Sequence, residues 1–488
     1  MLFNSHLFIF IFLPIVFAGY FFFASIAPAY VSRTWLAASS LFFYGFWNPS
    51  YLFLILISIT INFLLGRYLI LHKNRLLLSA GVVLNLSLLG YFKYTDFFIS
   101  NMNLILSKDI PLFHFVLPLA ISFFTFQQIS YLVDCQKGKV SNYNFINYTL
   151  FITFFPHLIA GPIVHHKVMM PQFQSAQNLK INFQHIALGM FIFSIGLFKK
   201  VILADHFSTT VIDGMNYLNS ITFFDAWTVI LSYAFQLYFD FSGYSDMAIG
   251  LALLFNIKLP INFNSPYKAT NFQELASRWH ITLTRFLYEY VYNPMNRWLT
   301  KRFFINIKIG TRAKTLINVM LLFLLSGVWH GAGWNFVIWG FLVGLGIGVY
   351  RLWRAFSIKL PLILAWGLTF FYFNFSLVFF KISELEQASL LIKAMLGLNG
   401  FILPEQLSQL LNPLEIFGVH FESTPLKDKF RALGLIILGF LIVLGFKNTS
   451  EKMTTFKPNI IYAFFIVIIF VYSVLHLTKA TEFLYFKF

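Results

Sequence analysis

A single cysteine, Cys135, in a chain of 488 residues excludes an internal disulfide and any cysteine-rich metal site. Charge is almost as scarce: Asp, Glu, Lys and Arg make up 11% of the residues, with 18 acids against 35 bases. A soluble domain of this size carries roughly twice that share of charge, so a water-solvated globule is excluded. Met1 to Ala27 lack the basic leader and small-residue cleavage site of a secretory signal, and read as a first spanning helix that stays. No polar/apolar alternation supports an outer-membrane barrel, and no internal repeat signals an inverted-repeat transporter. Gly243-Tyr244-Ser245-Asp246-Met247 lacks the final glycine and the preceding strand of a serine-hydrolase elbow.

What is present is apolar: 58% hydrophobic residues, 20% aromatic, 65 Phe, and a mean hydropathy of +0.74. About a dozen runs are long enough to cross or deeply enter a hydrocarbon layer roughly 30 Å thick, and they must be helices because lipid offers backbone groups no partners. The expected fold is therefore an all-α polytopic integral membrane protein, with 1–488 as one domain. The net charge of +17 marks cytoplasmic loops and contact with membrane lipid or anionic donors, and nucleic acid is not expected as a partner.

The first spans read as Phe8 to Ala27, Trp35 to Phe46, Tyr51 to Ile70 and Leu76 to Tyr91. Arg67, Lys73 and Arg75 fall in one connection, and the positive-inside rule places that loop in the cytoplasm and the N-terminus outside. Pro118 to Asp134 carries Thr125, Gln127, Gln128 and Asp134, too polar for lipid, and should face a protein interior. Phe155 to Pro162 contains two prolines and a glycine, the composition of a re-entrant break. His157, His165 and His166 have no carboxylate nearby in sequence and no HxxxH spacing, so no metal site is expected. Within Tyr233 to Phe255, Asp240, Ser242, Tyr244 and Asp246 interrupt an apolar run, so each acid needs a donor or a polar cavity.

Residues 271–314 read as a cytoplasmic amphipathic and basic segment. Asn271 with Glu274 forms a capping box, and Leu275, Trp279, Leu283, Phe286 and Tyr290 recur at helical spacing. From Arg278 to Lys314 eight Lys or Arg face one acid, Glu289, with Lys301 and Arg302 adjacent. A helix rising 1.5 Å per residue from Lys314 carries His330 about 24 Å inward, while His280 stays near the cytoplasmic face. His330 lies in Ser326-Gly-Val-Trp-His-Gly-Ala-Gly-Trp-Asn335, between two apolar runs. An ionisable group at that depth reads as a functional site, and imidazole is suited to proton transfer near neutral pH. Trp329 and Trp334 would wall the pocket. Residues 381–429 read as a loop with short helices.

At these residues the chain resembles the membrane-bound O-acyltransferases, in the bacterial branch that includes alginate and peptidoglycan O-acetylation proteins and the D-alanyl transfer protein of teichoic acids. The matching stretches are Leu117 to Asp134, Phe155 to Pro162, Tyr238 to Gly250, Asn262 to Tyr267, Arg278 to Leu283 and Val328 to Trp334. The resemblance implies a ring of helices around a central funnel or tunnel in a bacterial inner membrane. It also implies transfer of an acetyl group to a hydroxyl from a thioester donor, acetyl-CoA or an acyl carrier, with no bound cofactor. His330 would be the catalytic histidine, as general base or through an acetyl-histidine, and His280 the second motif histidine. Tunnel or donor-binding candidates are Asp240, Ser242, Tyr244, Asp246, Arg278, Trp279, Trp329 and Asn335, and Lys301 and Arg302 would recruit the donor. The implied final acceptor is a cell-envelope polysaccharide, reached through an extracytoplasmic acetyltransferase of the SGNH type. Where alginate-type relatives carry a glycine-rich turn after Tyr292-Asn293-Pro294, this chain has Met295-Asn296-Arg297-Trp298, which argues against alginate. D-alanyl-type transfer to teichoic acid, O-acetylation of lipopolysaccharide and a non-enzymatic flippase are the competing readings.

Overall fold

The computed structural model describes every residue except 141–142, 305–309, 423–425, 427, 478–482 and 485–488. Lys308, one of the basic residues counted above, lies outside the described residues. Among the described residues seven helices are long and apolar enough to cross a membrane: Phe8–Ile26, Pro49–His72, Arg75–Leu106, Phe183–Asn216, Thr311–His330, Trp334–Phe356 and Leu362–Lys381. Lys429–Gly445 taken with the short helix after it would make an eighth. Shorter helices account for most of the rest, so the chain is an all-α multi-pass membrane protein. Large apolar side chains stand exposed on the outer faces, such as Leu104 at 82% and Ile461 at 75%. In water they would be a liability, but lipid tails solvate them.

The chain divides into two compact units, and the boundary falls inside the helix Phe223–Leu254, between Phe241 and Ser242. The first unit comprises Met1–Phe198, Ser242–Asn262 and Thr449–Phe488. Here the helix Phe183–Phe198 lies against residues 243–250 through small residues. A Cβ on Gly196 would stand 2.6 Å from the Gly243 carbonyl oxygen, and one on Gly250 2.6 Å from that of Gly189. Glycines at seven-residue spacing on both strands of this contact let the backbones touch, the usual basis of helix association in lipid. The polar stretch 118–134 forms the helix Ile121–Gln136, with Thr125, Gln127, Gln128 and Asp134 all buried. Gln128 joins Ser58, Asn62 and Asn85 in a network that crosses three helices: Ser58 Oγ donates to Gln128 Oε1 at 3.0 Å, Asn85 Nδ2 donates to Asn62 Oδ1 at 2.7 Å, and Asn62 Nδ2 donates to Gln128. Phe155–Leu158 is a one-turn helix that begins at the break predicted from its prolines, and residues 155–164 are buried.

The second unit comprises Lys199–Phe241 and Phe263–Asn448. Its centre is the antiparallel hairpin of Thr311–His330 and Trp334–Trp353. Gly327 and Gly340 face each other across it: their added Cβ atoms would meet the Phe336 and Phe323 carbonyl oxygens at 2.2 and 2.3 Å. Any side chain at either position would push the helices apart. Residues 381–429, read as a loop with short helices, contain the helix Leu385–Met395 and also a parallel two-stranded ladder pairing Phe401–Pro404 with Val419–Glu422.

Candidate active site

His330 is the last residue of its helix, because Gly331 leaves helical geometry for extended backbone at φ −164°. The ring sits among aromatic side chains. Trp329, Trp339 and Phe380 stand edge-on to it at centroid distances of 4.8, 4.9 and 5.4 Å, and His330 is 4% exposed. Sequence reasoning expected Trp334 to wall this site. It is instead 56% exposed, and Trp339 takes that place. The turn 331–333 re-aims the second helix, so its inward face begins at Asn335 and Phe336 rather than at Trp334, with Asn335 Nδ2 donating to the Phe379 carbonyl at 3.0 Å. The added Cβ of Gly331 would lie 2.0 Å from the Phe336 ring, so only glycine lets that ring pack against the turn.

The predicted single amphipathic helix from Asn271 is broken. Phe272–Arg278 and Ile281–Phe286 are separate helices, and His280 between them adopts left-handed backbone at φ 44°. That conformation is costly for a residue with a Cβ and concentrates at functional sites. The break turns the His280 ring inward. It is 2% exposed, perpendicular to Phe241 at 4.7 Å, and 6.3 Å from Trp329. Both histidines thus flank the same indole. Burial holds the His280 pKa down to about 3, so the ring stays neutral at physiological pH.

The remaining candidates divide. In the second unit, Trp279 packs edge-on to Phe263 at 5.1 Å and near Phe373 at 5.7 Å, one residue before His280. Arg278 is engaged by its own helix, its Nε and Nη2 donating to Glu274 Oε1 at 3.0 and 2.8 Å and its Nη1 to the Asn264 carbonyl at 3.1 Å. Glu274 in turn completes the capping box, receiving the Thr270 N–H while its own N–H donates to Asn271 Oδ1. Asp240 finds the donor its burial demands in Lys200, whose Nζ donates to Asp240 Oδ1 at 2.6 Å and to Asp205 Oδ1 at 3.2 Å. Lys200 sits in a π-helical segment, Lys199–Ala204, a local widening that often marks functional positions. Lys301 and Arg302 lie exposed at the end of the helix Asn293–Arg302. Ser242, Tyr244 and Asp246 belong to the first unit. There Tyr244 stacks on Phe3 at 4.9 Å, Asp246 Oδ2 accepts from Thr449 Oγ1 at 2.7 Å, and Ser242 is buried.

The first unit also holds a cluster the sequence hid. His165 and His166 converge on Asp134, their Nε2 atoms 3.1 and 3.0 Å from Asp134 Oδ2, with Lys167 Nζ 3.8 Å away. The carboxylate judged absent near these histidines lies 31 and 32 residues upstream. The three ligand atoms are close enough to hold a metal ion. Protonation favours hydrogen bonds instead: His165 Nδ1 accepts the Lys167 backbone N–H at 3.2 Å, which leaves the ring's proton on Nε2, where a metal would have to bind.

The structure is that of a multi-pass helical membrane protein with two buried histidines flanking one indole. The model of the membrane-bound O-acyltransferase family matches residues 97–383. A peptidoglycan O-acetyltransferase of Helicobacter pylori is 45% identical, over 92% of this chain and 90% of that protein. A probable alginate O-acetylase of Azotobacter vinelandii is 34% identical over 85% and 82%. A teichoic acid D-alanyltransferase of Lacticaseibacillus rhamnosus is 25% identical over 49% and 60%. The chain belongs to the membrane-bound O-acyltransferase family and is an acyltransferase.

Proposed function

We propose that the protein O-acetylates a cell-envelope polysaccharide, with peptidoglycan as the favoured final acceptor, using an acetyl thioester supplied from the cytoplasm. The observation that carries the chemistry is the pair of buried imidazoles flanking Trp329. His330 takes the proton of the attacking hydroxyl, whose oxygen forms the new ester bond to the acetyl carbonyl. The thioester bond breaks, and the departing sulfur receives the proton as a thiol. A well-placed base of this kind contributes roughly 10² to 10⁴ in rate. Apolar rings around it exclude competing water and strengthen the polar contacts of the transition state. His280, held neutral, is positioned to hydrogen-bond a reacting or leaving group, and Asn335 anchors the carbonyl beside Phe380.

Peptidoglycan is favoured over alginate for two reasons. The H. pylori peptidoglycan O-acetyltransferase is alike over nearly the whole chain, and the glycine-rich turn of the alginate type is replaced by Met295-Asn296-Arg297-Trp298. The donor, acetyl-CoA or an acylated carrier, is drawn to Lys301 and Arg302 on a cytoplasmic face, with the N-terminus outside a bacterial inner membrane. The acetyl group then passes to an extracytoplasmic SGNH-type acetyltransferase, because a charged thioester does not cross the apolar core whereas an acetyl group handed over at an intramembrane histidine need not. Chemical analysis of envelope glycans for ester-linked acetate, with and without the gene, tests this. Loss of acetate from peptidoglycan is the expected result, and unchanged acetate in every glycan would refute it.

A further inference from the structure

At the end of the hairpin remote from His330, the second unit forms an open cavity of about 440 Å³ lined by Gln273, Arg312, Arg351, Arg354 and Ala355. A smaller cavity of about 170 Å³ adjoins it through Arg312 and Arg351 and adds Thr311 and Thr315. Three guanidiniums around one space repel one another, and no carboxylate among the described residues pairs with any of them. Glu274, beside Gln273, is committed to Arg278 at 2.8 Å. Arg351 is held in place by its Nε donating to Gln273 Oε1 at 3.0 Å, which leaves its terminal nitrogens for a ligand. The first turn of the helix Thr311–His330, with backbone N–H groups that helical geometry leaves unpaired, opens beside the same space. Planar guanidinium forks match phosphate oxygens two at a time, so three of them select a phosphate rather than a carboxylate or a neutral sugar. The volume falls in the range of small-molecule sites, which run from roughly 300 to 1,000 Å³, and exceeds what a bare phosphate fills.

We propose that Arg312, Arg351 and Arg354, oriented by Gln273, bind the phosphate end of the acyl donor; this rests on the donor chemistry proposed above. Eighteen residues of helix separate Arg312 from His330, about 27 Å at 1.5 Å per residue. A donor bound at both ends must hold its phosphate and its thioester far apart on a flexible arm. Acetyl phosphate, in which the two adjoin, is thereby excluded. A membrane lipid's phosphate shares the recognition chemistry, and the experiment separates the two sources.

The test is titration calorimetry of coenzyme A into the purified full-length protein and into Arg312→Gln, Arg351→Gln, Arg354→Gln and the triple variant, with thermal unfolding confirming that each is folded. The triple variant should weaken binding at least about tenfold, Arg351→Lys should recover part of the loss, and Lys359→Gln should change nothing. Inorganic pyrophosphate should compete with coenzyme A on the wild type. Unchanged affinity in the folded triple variant would overturn the site. So would displacement of coenzyme A by phosphatidylglycerol nanodiscs but not by phosphatidylcholine ones, which would assign the arginines to lipid. Binding does not require transfer: His330→Ala should bind coenzyme A normally. A protein that binds coenzyme A through these arginines yet acetylates no glycan would therefore remove the proposed function and leave the site standing.

Discussion

In the second unit His330 and His280 are buried among the rings of Trp329, Trp339, Phe241 and Phe380. In the first unit His165 and His166 share one buried carboxylate, Asp134. The same side chain thus serves two purposes. An imidazole tied to a carboxylate has its tautomer fixed and one nitrogen spent, and it ties the helix Ile121–Gln136 to the start of His166–Gln174. An imidazole enclosed by rings is shielded from water and oriented by their shape. Burial alone does not separate the two, since His166, His280 and His330 are all under 5% exposed. The neighbours decide.

The largest expected effect concerns whether the ringed pair acts as one unit. His280→Ala and His330→Ala should each lower transfer by roughly 10² to 10⁴, and the double variant should be no slower than the worse single one. Losses that multiply would mean two independent roles. Breaking the carboxylate setting should act on stability instead. Asp134→Ala strands two imidazole donors and should cost about 1–3 kcal/mol in detergent unfolding, with transfer per folded molecule nearly intact. A selective loss of transfer would move that cluster into the reaction.

The pH response sharpens the contrast further. Folded His280 ionises only near pH 3 because of burial, against an ordinary value of 6.5. Between those values the unfolded chain binds the extra proton, so stability rises with pH through that window, is level above it and is lost progressively below about 6.5. Burial also lowers the pKa of His166, opposed by its hydrogen bond to Asp134, so its contribution has the same sign. Melting temperatures from pH 4 to 8 should show the slope, and His280→Asn should flatten it. The smallest effect is expected on the surface: Lys301→Glu with Arg302→Glu should raise the apparent KM for the donor a few-fold at low salt, fading as salt screens the charges.

The apolar runs made the spans legible, because lipid leaves a helix no alternative. The intramembrane His330 and the capping box Asn271–Glu274 were visible for equally local reasons. Asp240 announced its need for a partner without naming it: Lys200 is 40 residues away in sequence and reaches it only through the fold. Distance in sequence likewise hid Asp134 from His165 and His166. The break at His280 was invisible because Leu275, Leu283 and Phe286 keep helical spacing across it and are all buried, so periodicity reads straight through one left-handed residue. The cavity of Arg312, Arg351 and Arg354 was hidden by distance in sequence, since only the hairpin brings the two ends together.

The central claim is that His330 is the base of an acetyl transfer. Its most direct test is the amount of ester-linked acetate formed on glycan by membrane vesicles supplied with labelled acetyl-CoA, comparing wild type with His330→Ala at equal levels of folded protein. A fall of about 10² to 10⁴ is predicted, and retention of more than about a tenth of the wild-type rate would contradict it.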